Sequence, residues 1–403
     1  MINRRTRAFL KKCFREYYRD NKIQLPPRFG RREWAFIFWD KDFMVRHMSF
    51  KKGGEFFSYV AASVPRHVYY SSAYYRKPSH KVMKEKGWLG ADLIFDLDAD
   101  HIKDSKVLTY PEMLEKVKEE YKKLVDFITT DFGFEMKHLE MVFSGGRGYH
   151  LHVRSPKVLE LGSEERREMV DYITGRGLEP EIFVPKKPYK RLDYKNFPSK
   201  IKEHRELKKN GGWGKRIYKA VLKFADELER IEDEKKRIEY IKERGKIGEK
   251  RARRILERLF SGKEGKRGID LLKKGKVDIF KGRKDVTEIF SNLVTEYAVQ
   301  ISVSGTDEPV TGDVHRLIRV PGSLHGKTGL RVTPLSSLED LENFHPLSDA
   351  VVFSDRDVKV RALKDGKVFL KDEEFILKKD EIISLPEYAS VFVLGIGLGE
   401  IAN

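Results

Sequence analysis

Residues 93–100 read LIFDLDAD, an apolar run that ends in carboxylates at alternate positions. In a β-strand, residues two apart share a face, so Asp96 and Asp98 project together while Phe95 and Leu97 point the other way. Two carboxylates held that close repel unless a cation or a proton lies between them. The stretch is therefore a candidate metal site. The plainer alternative is a strand that closes in an acidic turn, because Asp is a common turn and cap residue. D-x-D alone is too short a string to decide between them.

Outward from this strand the text alternates helix and strand signals. Residues 111–132, PEMLEKVKEEYKKLVDFITTDF, predict a helix, with Pro111 at its start and Leu114, Val117, Tyr121, Leu124, Val125 and Ile128 at spacings of three and four. LEMVF and YHLHVR then flank the glycine turn SGGRG, a strand–turn–strand unit. Upstream, the first 22 residues read as a basic helix with Phe9, Leu10, Phe14 and Tyr17 on one stripe. REWAFIFWDKDFMVRHMSF reads as two strands around a turn at Asp40 to Asp42, EFFSYVAASV as a short helix, and HVYYSSAYYRKP as one aromatic strand that stops at Pro78. A helix between strands followed by a hairpin implies an α/β (α+β) core of mixed sheets with flanking helices.

Downstream the character changes. Trp213 to Phe260 holds almost only helix formers and charges, a helical subdomain. Strand-like text resumes at VTEYAVQISVS and continues through TDEPVTGDVHRLIRVPGSLHGKTGLRV. From Val351 onward VVFSDRDVKVRAL, DGKVFLKDEEFIL and KKDEIISLPEYASVFVLGIG read as four or five short strands with a turn at Asp365 and Gly366, a small C-terminal β domain.

Composition narrows the function. Lys and Arg number 81 against 63 Asp and Glu, a net charge of +18 over 403 residues, which suits phosphate-rich partners and nucleic acid first. A charged fraction of 36% also fits a heat-adapted protein, but that leaves the positive excess unexplained. Cys13 is the one cysteine, so neither an intramolecular disulfide nor a cysteine-based zinc knuckle can form from this chain. The basic N-terminal helix lacks the apolar core of a signal peptide, and YASVFVLGIGLGEIAN is too short and glycine-broken to span a bilayer. The expected location is cytoplasmic.

Two further motifs carry chemistry. SGGRGYHLH, residues 144–152, puts three glycines, Ser144 and Arg147 between strands. Successive backbone N–H groups there can line one concavity for phosphate oxygens, with a hydroxyl and a guanidinium fork beside them. An ordinary glycine turn is the alternative, although it needs neither Ser144 nor Arg147. GDVHRLIRVPGSLHGKTGL gathers His315, Arg316, Arg319, His325 and Lys327 in a turn-rich basic stretch able to receive a triphosphate. GKTG is not a P-loop, since the glycine spacing of a Walker motif is missing.

LIFDLD, then SGGRGYH, then HRLIRVPGSLHGKTG, in this order and spacing, resemble the catalytic (small) subunit of archaeal and eukaryotic DNA primases. The resemblance extends to REWAFIFWDKDFMVRHMSF and YYSSAYYRKP, so it covers about residues 30 to 335. It implies a primase-type catalytic domain over residues 1–202 and 285–345, with the helical subdomain, 203–284, inserted in it and the small β domain at 350–403. Asp96, Asp98 and Asp307 then look like the ligands of two Mg²⁺ or Mn²⁺ ions, with Asp313 the competing third carboxylate. Ser144, Arg147, His150, Arg319 and His325 look like nucleotide-binding residues, Arg46 like a further active-site arginine, and Glu33 like its neighbour.

The implied activity is DNA-dependent nucleotidyl transfer from NTPs or dNTPs, making short primers on single-stranded DNA with release of pyrophosphate. The implied partner is a large primase subunit. A repair-type primase-polymerase would carry the same residues, and a noncatalytic DNA-binding replication factor would use the charge alone. Two departures stand out. Many relatives carry a cysteine-rich zinc knuckle after the acidic strand, which HIKDSKVLTYPEM lacks, so zinc is not expected. The turn reads SGGRG where many relatives read SGRG or SGRRG. The final β region resembles the small B-type domain of archaeal GINS replication proteins, which implies docking to other replisome proteins.

Overall fold

In the computed structural model, which describes residues 2–19, 23–102, 107–179, 186–189, 202–277 and 301–402, LIFDLD is a strand. Leu93, Ile94, Phe95 and Leu97 are buried, while Asp96 and Asp98 retain solvent contact. The strand-like VTEYAVQ and the last residues expected of the helical subdomain lie outside the described residues. The chain divides into two units, Met1–Val125 with Phe134–Val170 and Ser304–Asn403, and Asp126–Gly133 with Asp171–Val303.

The first unit opens with α1 (Arg4–Arg19), β1 (Trp34–Ile37), β2 (Val45–Met48), α2 (Gly53–Ser63), β3 (His67–Ser71), β4 (Ala73–Tyr75), β5 (Trp88–Ala91) and β6 (Leu93–Asp98). Then come α3 (Tyr110–Asp126), β7 (Leu139–Phe143), β8 (Gly148–Val153) and α4 (Ser163–Thr174). The expected stripe of α3 is its buried face: Leu114, Val117, Tyr121, Leu124 and Val125 are inside, and Tyr121 donates its hydroxyl to the His150 carbonyl at 3.0 Å. HVYYSSAYYRKP is two strands rather than one. At Ser72 the chain changes sheets, its N–H donating to Arg316 O at 2.7 Å and its carbonyl accepting from Asp92 N at 3.0 Å. β4 then pairs with β5 instead of with the sheet of β3.

The second unit contains the pair β9 (Lys186–Tyr189) and β10 (Lys202–Arg205), then α5 (Gly212–Arg230), α6 (Glu234–Gly245), α7 (Glu249–Phe260) and α8 (Gly268–Lys273). Its core is one apolar stripe per helix, for example Ile217, Val221, Phe224 and Leu228 of α5 and Ile255, Leu256 and Leu259 of α7. Arg216 is held between Asp126 at 2.6 Å and Asp131 at 2.7 Å, with its guanidinium 3.6 Å from the Phe127 ring centroid.

Back in the first unit, β11 (Leu317–Arg319) and β12 (Thr333–Leu335) complete two four-stranded antiparallel sheets, ordered β11-β3-β1-β2 and β12-β7-β8-β6. They meet where Tyr70 of β3 stacks on His152 of β8, with ring centroids 6.2 Å apart and Tyr70 Oη 3.1 Å from His152 Nδ1. Beside them Arg32 is fully buried against Asp92 at 2.7 Å. Such a pair is costly to bury unless its donors are satisfied. Arg32 meets that condition, bonding also to Pro27 O, Ser71 O, Ser72 O and Tyr74 Oη.

The C-terminal part holds β13 (Asp357–Ala362), β14 (Gly366–Leu370), β15 (Glu373–Leu377), β16 (Ile382–Pro386) and β17 (Gly399–Ile401), in a sheet ordered β16-β13-β17 and a β14–β15 hairpin. YASVFVLGIG, expected to be strand, lies mostly in the helix Glu387–Gly395. An apolar run buried on every side has no period to tell the two apart, and Pro386 sits at the N-cap of this one. The segment packs on α1, with Ile401 N donating to Thr6 Oγ1 at 3.0 Å. No helix of the described residues is long and apolar enough to cross a membrane.

Candidate active site

β6 is an edge strand, and the segment before the short helix Glu308–Gly312 lies along its open side. Asp98 N donates to Gly305 O at 3.4 Å, Asp307 N donates to Asp96 O at 2.9 Å, and Leu97 bridges to Thr306. This pairing brings Asp307 beside Asp96 across a long stretch of sequence. Burial pushes Asp96 up to about 7, and the charges of Asp98 and Asp307 push the same way against Arg319 and Arg316. Asp313 stands elsewhere: its carboxylate accepts from His315 N at 2.8 Å and acts on Tyr75 and Arg166. His101, which sequence reasoning passed over, reaches Asp307 with Nε2 3.6 Å from Oδ2.

The register of β6 against β8 sets the next contacts. Asp96 is opposite His150 and Asp98 opposite Gly148. His150 Nε2 lies 3.5 Å from Asp96 Oδ1, and burial, with Arg319 and Arg316 nearby, pushes the imidazole down to about 3. It is thus neutral. Gly148 is required by contact: a Cβ there would stand 2.0 Å from Leu97 O. Asp98 accepts from Asp100 N at 3.0 Å, so it also caps the turn that ends the strand.

The glycine turn is held on three sides. Ser144 N donates to Gly148 O at 3.0 Å, Thr328 Oγ1 to Gly145 O at 2.5 Å, and Tyr110 Oη to Gly146 O at 2.6 Å. Gly145 has φ +73°, and a Cβ on it would meet His325 Cβ at 2.8 Å. Arg147 leaves the turn to pair with Asp100 and lies 3.9 Å from Asp98. Asp100, outside every expected ligand set, is thus the anchor of Arg147.

Arg319 reaches the site from β11, its guanidinium 5.8 Å from the centroid of the Tyr69 ring. Neither its Nε nor that of Arg316 has a hydrogen-bond partner among the described residues. His325 is buried, accepts from Thr328 N at Nδ1 at 3.3 Å and lies edge-to-face on His67 at 5.2 Å. Burial and the neighbouring cations hold both imidazoles well below their ordinary value. Arg46 is drawn into a different group, where buried Glu33 accepts from Arg46 Nε at 3.1 Å and His47 N at 3.1 Å and faces Lys86 Nζ at 3.2 Å.

Asp98, Ser144, Gly146, Arg147, Arg319 and His325 line one cavity of about 840 Å³. Tyr69 and Tyr110, which sequence reasoning did not single out for the site, also line it. For a divalent cation the donor chemistry fits: carboxylate oxygens on adjoining backbone, with Asp96 half-buried and crowded by two like charges. Among the described residues, however, no three His, Cys, Asp or Glu side chains stand as a ready-made ion cage.

The family model described as DNA primase small subunit matches residues 95–337. The chain is 43% identical over 404 residues to the DNA primase small subunit PriS of Methanothrix thermoacetophila, covering 98% of this chain and 99% of that one. It is 43% identical over 407 residues to PriS of Methanococcoides burtonii, covering 98% of each chain. With PriS of Halobacterium salinarum the identity is 40% over 417 residues and the whole of both chains. The chain therefore belongs to the DNA primase small subunit family.

Proposed function

We propose that this DNA primase builds short primers on single-stranded DNA by two-metal phosphoryl transfer from nucleoside triphosphates, working with a large primase subunit. The observation that carries the reading is that Asp96, Asp98 and Asp307 stand on adjoining backbone beside Arg316 and Arg319, whose Nε atoms have no hydrogen-bond partner among the described residues. Asp96, Asp98 and Asp307 would hold Mg²⁺ or Mn²⁺, which when bound activates the attacking hydroxyl and stabilises the leaving pyrophosphate. The rest is binding and charge neutralisation by the protein. Ser144, Arg147, Arg319, His325 and Lys327 receive the triphosphate. His150, neutral, steadies Asp96 rather than adding a charge. Arg46 pairs with Glu33 and Asp313 accepts from His315 N, so this reading gives neither a part in the set.

The test is primer synthesis on single-stranded template with Mg²⁺ or Mn²⁺. Asp98→Ala is expected to lose roughly a thousandfold or more in rate while keeping the wild-type circular dichroism spectrum. Undiminished synthesis by that variant would overturn the reading.

A further inference from the structure

Five residues of the C-terminal segment line the same cavity as the glycine turn and His325: Lys367, Val368 and Phe369 of β14, Phe392 of the helix Glu387–Gly395, and Ile396 just beyond it. This wall is fixed to the catalytic turns. A Cβ at Gly395 would stand 2.1 Å from the carbonyl oxygen of Lys327, and one at Gly329 would stand 2.4 Å from Val391 Cγ1. The helix is therefore seated directly on the loop that carries His325 and Lys327. Phe392 packs on Tyr110 with ring centroids 5.8 Å apart, and Tyr110 in turn holds the Gly146 carbonyl.

Val368 and Phe392 are buried, but Phe369 and Ile396 each remain 40% exposed. An aromatic ring and a branched aliphatic chain are thus left open in a cavity whose remaining lining includes hydroxyl, guanidinium, imidazole and ammonium groups. Lys367, two residues from Phe369 on the same face of the hairpin, is ion-paired with Glu374 at 2.9 Å. A cavity of this size, cationic in one part and apolar in another, suits a ligand that joins phosphates to a flat apolar body. Stacking on aromatic side chains is also the sequence-tolerant way in which proteins hold bases.

We propose that Phe369 and Ile396 receive a nucleobase, which makes the segment after residue 350 part of the nucleotide pocket. The inference deepens the reading above and depends on it for the ligand class, but its test does not require catalysis. In one arm, the full chain in Mg²⁺ is titrated with a nucleoside triphosphate and with inorganic tripolyphosphate. In the other, it is titrated with a single-stranded oligodeoxynucleotide and with the same strand carrying abasic positions.

Wild type is expected to prefer the base-bearing ligand by about tenfold or more in at least one arm, and Phe369→Ala and Ile396→Ala to erase that preference. Loss in the first arm assigns the incoming nucleotide, and loss in the second the template base. Equal binding of both ligands by wild type in both arms, or a preference untouched by the substitutions, overturns the inference. Ile376→Ala, on the same hairpin but outside the cavity, should change neither arm. A matching loss there would mean that hairpin folding, not base contact, was measured, and would overturn it too. If base preference is present while primer synthesis is absent from the wild type, the proposed function fails and this inference stands.

Discussion

Asp307 and Asp313 stand at opposite ends of one short helix, and their surroundings separate them. Asp307 caps that helix, accepting from Val310 N at 3.3 Å, and its backbone is bonded to Asp96. Asp313 is turned to His315 N and the neighbourhood of Tyr75. Asp307→Asn is therefore expected to abolish primer synthesis and Asp313→Asn to retain it within a few fold, both read as initial rates on one template. The reverse pattern would give the third carboxylate to Asp313. Sequence alone left the choice between them to a family spacing, because the partner that decides it is a backbone pairing along the open edge of β6. Alternation did make Asp96 and Asp98 legible as a pair. It could not reveal that Asp100 anchors Arg147, since that contact depends on how the glycine turn folds back.

At the scale of elements, the β7–turn–β8 hairpin was readable from three glycines between apolar strands, and one of these glycines explains the closeness of the site. β6 and β8 approach so tightly at Gly148 that a methyl group would overlap Leu97 O at 2.0 Å. Gly148→Ala must therefore part the strands where Asp98 leaves the sheet. The expected cost is about 1–3 kcal/mol or more, with a lower thermal midpoint and a loss of synthesis exceeding the loss of folded protein. Wild-type melting and wild-type synthesis together would show that the strands can shift at no cost. Elements whose burial is uniform were harder to read. The helix Glu387–Gly395 carries buried residues from Glu387 through Leu394, so no alternation or helical stripe marks it, and the flanking strands drew the reading toward β. The aromatic run broken at Ser72 failed for a related reason: both halves are strands, and only the sheets they join differ.

For the whole molecule, the net charge of +18 speaks to phosphate partners, but the buried imidazoles determine how stability responds to acid. His67, His152 and His325 are all held well below their ordinary value, chiefly by burial and further by neighbouring cations. Unfolded, each would titrate near about 6.5. Below that value the unfolded chain binds protons that the folded chain refuses, so the stability these groups contribute is present above pH ~6.5 and is lost as pH falls. The neighbours Asp96, pushed up to about 7, and His150, pushed down to about 3, act in opposite senses in this range and roughly cancel. His67, His152 and His325, joined in the same sense by His47, which burial also holds below its ordinary value, then decide the slope, each contributing up to about 1.4 kcal/mol per pH unit. Thermal midpoints of the full chain are expected to hold steady from pH 8 to 7 and to fall steadily from pH 6.5 to 5.5. His152→Gln, which keeps a polar group beside Tyr70, should make that fall shallower by about one proton's worth. A midpoint that stays flat across the acid range, or a slope unchanged in the variant, would mean that these imidazoles take up protons in the folded state and that the sheets accommodate the charge.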